Sequence, residues 1–301
     1  MRAPRFQAFA SMSVGVVAAA AVIWVGLGGA QEERVSLPVP DGGTPTLAVE
    51  DTFSTPMTTL PEYLVEAPRV TLDEILRRVA EGEARRDSLM QDQAYTLLVK
   101  IVYSDSKDTS KTHTEREYVS RVYKKRPDKV REVPLRSSGD EDIEIRAGAD
   151  MSESVVAFAF QARARSEFDF EILERSWIGG HIIYKIEFRP RSQVEPLPSG
   201  IVWVDTNEFV IVREEFWFRD QSPVPMFLKS VDNCVVERSR VDRDWWVMTR
   251  FLGRIKTTSL TRLMGRVAGK KLGDNVDFAL EKIDWEVNRG IPDSLFVVAG
   301  S

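Results

Sequence analysis

Side chains able to do covalent or proton-transfer chemistry are few and scattered in this 301-residue chain. The two histidines, His113 and His181, are far apart in sequence, so a histidine-dependent triad or metal site would need them to converge. The lone cysteine, Cys234, lies within SVDNCVVERS and reads as a small packed side chain rather than a nucleophile. Glu214-Glu215 and Asp140-Glu141-Asp142 have the chemistry of acid–base pairs, but among 46 acidic residues they read equally as solvated charge. The run Gly265-Arg266-Val267-Ala268-Gly269-Lys270-Lys271 approaches a phosphate loop. It is one residue short, and Lys271 stands where Ser or Thr should hold magnesium, so it reads as a basic loop. G-x-S-x-G, H-E-x-x-H, C-x-x-C and EF-hand patterns are absent. The expectation is a protein that is not an enzyme, with no cofactor and no metal site.

What remains is how the chain is built. Arg2 and Arg5 precede an uncharged, largely apolar run from Ala8 to Leu27, followed by Gly28-Gly29-Ala30. This order matches a secretory signal peptide over residues 1–30, with an uncleaved inner-membrane anchor as the alternative. The formal net charge of −5 argues against nucleic acid as a partner. One cysteine, no N-x-S/T site and a secretory leader together point to a bacterial periplasm. Residues 31–70 carry six of the fifteen prolines and little periodicity, which predicts an extended linker. The folded domain should span 71–301.

That domain opens with Thr71-Leu72-Asp73-Glu74, a capping box leading into a helix of about 20 residues with Ile75, Leu76, Val79, Leu89 and Met90 on its apolar stripe. From Ala94 the period changes to two. Strands are expected near 94–104, 114–126, 129–136, 141–146, 168–177, 181–190, 200–206, 209–219, 227–240, 245–258 and 276–288, joined by short turns and so antiparallel. Residues 152–165 could be a strand or a short buried helix. The basic run Lys124-Lys125-Arg126, with Lys129 and Arg131, reads as a hairpin tip or a patch for peripheral membrane contact or an acidic partner.

Several strands are apolar on both faces. In GIVWVDTNEFVIVREEFWF, from Gly200 to Phe218, one alternate set holds Val202, Val204, Val210, Val212, Phe216 and Phe218, and the other holds Ile201, Trp203, Phe209, Ile211 and Trp217. Ile182, Tyr184, Ile186 and Phe188, by contrast, alternate cleanly with Lys185, Glu187 and Arg189. A doubly apolar sheet must be covered by packed elements, meet another chain, or curl around an apolar hollow. The third reading makes Leu97, Val99, Ile101, Trp203, Phe216, Phe218 and Trp246 candidate lipid-binding residues. Burying acyl carbon yields about 0.8 kcal/mol per methylene, so about 14 carbons offer roughly 11 kcal/mol gross without any catalytic group.

The helix leading into QAYTLLVKIVYS, followed by YKIEFRPR and the hairpin Gly200, Val202, Trp203, Val204, Asp205, Phe209, Ile211 and Arg213, resembles the outer-membrane lipoprotein-sorting superfamily of periplasmic carriers. It is also similar to an uncharacterised domain of carboxypeptidase-regulatory-like outer-membrane proteins. The resemblance covers roughly residues 70–296 and implies a fold: α+β, mostly antiparallel β, an incomplete, half-open barrel of about 10–11 strands. A long N-terminal helix, and a short second one, would pack on its concave side. It further implies a monomeric periplasmic carrier whose partner is a lipid or a lipidated protein. The alternative function is an envelope interaction module that docks a partner protein on an apolar sheet face without lipid.

Overall fold

The structure is a computed structural model that describes residues 69–105, 108–138, 159–160, 165–192, 194–218, 225–242, 245–267 and 273–297. The expected signal peptide and linker, the acidic run 140–142 and the strand near 141–146 lie outside the described residues, as does most of 152–165. Helix α1 covers Leu72–Leu89, and the Thr71 side-chain oxygen accepts the Glu74 amide at 3.3 Å. The Glu74 carboxylate binds Arg77 at 2.8 Å, so the cap is made from the threonine side while Glu74 serves an ion pair along the helix. Ile75, Leu76 and Val79 are the residues that α1 buries; of the other two expected on its stripe, Leu89 is 51% exposed in the last turn and Met90 is the C-cap beyond it.

Ten strands follow among the described residues. They are β1 (Asp92–Asp105), β2 (Asp108–Lys125), β3 (Lys129–Ser138), β4 (Phe168–Ile178), β5 (His181–Pro190), β6 (Ser199–Asp205), β7 (Val210–Trp217), β8 (Leu228–Val241), β9 (Trp245–Thr257) and β10 (Asn275–Val287). Helix α2, Ser259–Val267, joins β9 to β10. All pair antiparallel in one sheet of order β3-β2-β1-β10-β9-β8-β7-β6-β5-β4. Pairing β1 with β10 brings the two ends of the domain together, and leaves β3 and β4, neighbours in sequence, as opposite edges. One absent ladder, β3 to β4, separates this sheet from a closed barrel.

The sheet wraps around α1. Just before the helix, the Val70 amide donates to the Tyr184 hydroxyl on β5 at 3.3 Å; near its end, Asp87 pairs at 2.6 Å with Arg126 at the β2–β3 turn. Those strands are seven steps apart in the sheet order. On this face residues from Tyr118 and Val122 on β2 round to Phe168 on β4 are buried in one cluster with three residues of a single helix, which a flat ten-stranded sheet would leave uncovered, so the sheet curls around α1. The face under α1 is therefore the concave one.

Glycines let large rings lie flat across this face. In one register row run Phe188, Gly200, Phe216, Cys234, Gly253, Phe278 and Ile101. A Cβ on Gly253 would stand 2.2 Å from the Phe278 ring, and one on Gly200 would stand 2.6 Å from the Phe188 ring. Gly253→Ala is therefore expected to cost about 1–3 kcal/mol by forcing Phe278 from its place. Urea unfolding measures it, and an unchanged midpoint would show that the ring moves freely.

Candidate functional site

The concave face carries most of the candidate lipid-binding residues. Leu97, Val99 and Ile101 on β1, Phe216 on β7 and Phe218 just beyond it are 1–5% exposed and share one apolar cluster with Ile75, Leu76 and Val79 of α1. The register row through Val99 reads Ile186, Val202, Glu214, Val236, Phe251, Leu280 and Val99 from β5 round to β1. Two cations are buried on the same face over aromatic rings. Lys282 lies 4.7 Å from the Tyr95 ring centroid and Arg116 lies 5.7 Å from that of Tyr103.

Trp203 is on the other side of the sheet. It pairs with Lys185 and Arg213, whose charged ends both lie 5.3 Å from its ring. Trp246 stays half-buried near the β6–β7 turn, where its indole N–H donates to Glu208 at 2.7 Å and Arg240 reaches the same carboxylate at 3.0 Å. The sheet thus gathers five of the seven candidates and sets Trp203 apart from them.

The convex face answers what covers the second apolar surface. Directly opposed residues across the strands read Lys185, Trp203, Arg213, Glu237, Arg250 and Glu281. Arg213 meets Glu237 at 3.1 Å, and Arg250 reaches Glu281 at 3.4 Å and Glu237 at 4.0 Å. Long charged side chains lie along the sheet with their stems over its apolar atoms and their heads paired. Val235, in the neighbouring row, is only 8% exposed. Along this row the face is closed by its own side chains.

A charged cluster fastens α1 to the concave face. Arg238 on β8 grips both carboxylate oxygens of Glu83 at 2.7 Å, and Arg86 reaches Glu83 from one helical turn away at 2.7 Å. Burial opposes the Glu83 charge, but Arg238 and Arg86 outweigh it and hold this carboxyl below the ordinary range. Glu214 is different. It lies in the apolar row above, and its Oε2 has no hydrogen-bond partner among the described residues. Burial pushes its carboxyl well above the usual range; Arg238 pulls back, and the charge of Glu83 adds to the push. On the same side of α1, the Arg78 guanidinium stacks 3.7 Å from the Phe209 ring centroid. Phe209 ends the Asp205-Thr206-Asn207 turn with φ 51°, and so the hairpin singled out in the sequence touches the helix through its turn.

No protein-family model matches the chain. No curated protein matches it in sequence either. In fold it is similar to an outer-membrane lipoprotein-sorting protein domain from Vibrio parahaemolyticus, at 11% identity and TM-score 0.38 over 73% of this chain and 95% of that one. A LolA superfamily protein from Nitrosomonas europaea is similar at 15% identity and TM-score 0.33, over 76% of this chain and 99% of the other. A DUF1329 family protein from Desulfovibrio piger is similar at 12% identity and TM-score 0.32, over 74% and 97%.

The remaining motif residues fall into ordinary roles. His181 Nδ1 lies 2.7 Å from Asp205 Oδ2 across β5 and β6, while His113 is on β2, seven steps from β5 in the sheet order. Cys234 is buried between Phe216 and Gly253, and burial drives its thiol far above the usual range. At the basic hairpin, Lys125 and Lys129 pair with Asp293 at 2.7 and 3.1 Å, and Arg126 pairs with Asp87. The Arg131 guanidinium bonds the Leu295 carbonyl. Those cations hold the C-terminal turn and α1. Helix α2 is an element the sequence reading missed, although Thr258 followed by Leu260, Leu263, Met264 and Val267 at helical spacing was a legible signal. No helix among the described residues is long and apolar enough to cross a membrane, and no cluster of three or more His, Cys, Asp or Glu suited to a metal occurs among them.

Proposed function

We propose that this chain is a periplasmic envelope protein that holds an acyl chain of a lipid or lipidated protein between its curled sheet and α1. One observation carries the reading: a ten-stranded sheet, not closed into a barrel among the described residues, presents a concave face lined by Leu97, Val99, Ile101, Phe216 and Phe218, and α1 lies over it. Those side chains already pack against one another, so a chain enters by displacing α1, whose buried contribution is three residues. Displacement costs the contacts of Ile75, Leu76 and Val79, roughly 1.5–3 kcal/mol for each large apolar side chain, and also opens the Glu83–Arg238 clamp. An acyl chain of about 14 carbons offers a comparable gross gain. The two terms are close enough for binding and release to be exchanged by a modest bias. Residues 1–30 supply the secretory address for this role.

Native mass spectrometry of delipidated protein offered myristate or phosphatidylglycerol tests the proposal. The expected spectrum shows a one-to-one lipid adduct that survives gentle desolvation. Protein that neither retains nor takes up lipid, while remaining folded by circular dichroism, would overturn it.

A further inference from the structure

We infer that Glu214 is a second seat for Arg238: when α1 lifts to admit an acyl chain, the guanidinium passes from Glu83 on the helix to Glu214 on the sheet. The purpose of this exchange rests on the acyl-chain reading, whereas the exchange itself needs no lipid. With α1 in place, Arg238 Nη1 donates to both oxygens of Glu83 at 2.7 Å, and its side chain is 8% exposed. Lifting α1 takes Glu83 away and leaves that guanidinium beside the row of Val202, Val236 and Phe251. An arginine stranded there would hold the helix down. The same row contains Glu214, directly opposite Val236, and Arg238 stands two residues beyond Val236 on the same face, the diagonal position that long side chains span. Glu214 Oε2 is buried and has no hydrogen-bond partner among the described residues. It weakens the closed form and is an acceptor in waiting for the open one.

The groups around Glu214 give the exchange a pH dependence of known sign. β8 presents Arg238 and Cys234, and α1 presents Glu83. Behind them Arg86 of α1 holds Glu83, Arg78 of α1 lies over Phe209 just before β7, and β6 contributes the apolar Val202. In the closed form burial raises the Glu214 carboxyl well above its usual range, against the pull of Arg238 and with the charge of Glu83 adding to the rise. Once Arg238 is seated on it, that carboxyl is ionised and its proton has passed to water. Between the two values the closed form therefore holds one proton more than the open form, and opening becomes more frequent as pH rises, by up to about tenfold per pH unit. The neighbours do not blur this window. Glu83 is held below the ordinary carboxylate range, and burial drives the Cys234 thiol far above its own.

Hydrogen–deuterium exchange of the lipid-free full chain, corrected for the intrinsic amide rate, reads the lifting of α1 from the amides of residues 76–86. The open fraction should rise at least about tenfold from about pH 6 to about pH 8, while the amides of β7 and β8 stay protected. Glu214→Gln keeps the shape and cannot ionise. It should abolish this pH dependence and lower opening at least about tenfold at about pH 8. Added to the Glu83→Gln, Arg238→Met protein, the same change should alter opening by less than about threefold, because no guanidinium remains to be received. A wild-type α1 whose opening ignores pH, exchange that quickens in helix and sheet alike, or a Glu214→Gln effect of equal size in both backgrounds would overturn the inference; should Glu214→Gln not fold, the wild-type profile still decides. Lipid uptake in native mass spectra is a separate readout. Uptake without the exchange signature overturns the partner exchange alone, and the signature without uptake overturns the acyl-chain reading alone.

Discussion

Arg238→Met is expected to cost about 3–5 kcal/mol of folding stability, the range for removing one partner of a buried ion pair. Its side chain is 8% exposed and that of Glu83 18%, so little water can replace the lost guanidinium. Glu83 would keep Arg86, but one cation then has to compensate a carboxylate that two now hold below its ordinary range. The double variant Glu83→Gln, Arg238→Met should recover part of the loss, because it removes the stranded charge along with its partner. Urea denaturation of the two variants measures this; a double variant no better than the single one would show that packing rather than charge makes the clamp. The sign with pH follows from the depressed Glu83 carboxyl. Its stabilisation is present above the carboxylate's unfolded value and is lost as pH falls through the lower folded value. The clamp also joins α1 to β8, so weakening it should speed acyl-chain uptake at a concentration where the protein is still folded.

The strands and α1 were legible because each carries a one-dimensional signal: period two with turn residues between runs, or a threonine cap ahead of an apolar stripe. Trp203 and Phe216 already fall in opposite alternate sets, but the side of Ile211 was not legible, for a reason the structure makes physical. Opposite Trp203 and Val204, β7 places Arg213 and Ile211, so Val212 is an extra residue that switches the alternation within the strand. Counting alternate positions therefore placed Val210 and Val212 with Phe216, whereas the residues that join Phe216 in the core are Ile211 and Glu214. A strand apolar on both sides offers no wet face by which a bulge could be noticed. The clean alternation of β5 held the missing clue, since Lys185 and Glu187 lie directly opposite Trp203 and Ile201 and mark that side as convex. The direction of curl was likewise invisible, because it is fixed by α1 reaching Tyr184 and Arg126 together, a relation between residues far apart in sequence.

The adjacent acids Glu214 and Glu215 look alike in sequence, yet the pleat sends one into the core and the other to Arg213 on the convex face. Glu214→Met should raise stability by about 1–3 kcal/mol at pH 8, the cost of burying a polar group without its hydrogen bonds. Methionine has similar length and suits a row that otherwise runs Val202, Val236 and Phe251. The gain should shrink toward pH 5. Burial raises the folded-state carboxyl above its unfolded value, so between the two values the folded protein holds a proton that the unfolded chain has released, and stability falls as pH rises. Groups common to both proteins cancel in the difference, so subtracting the wild-type pH profile from that of the variant isolates residue 214. A variant that is less stable than wild type at pH 8, or a difference that does not change with pH, would show that Arg238 compensates this carboxylate in full. If the gain appears, the core retains a group that weakens it, placed in the same row as Val99 where an acyl chain would lie. Glu214→Met should then also tighten acyl-chain retention in native mass spectra, since an apolar side chain removes the desolvation penalty that a carboxylate imposes on a neighbouring hydrocarbon.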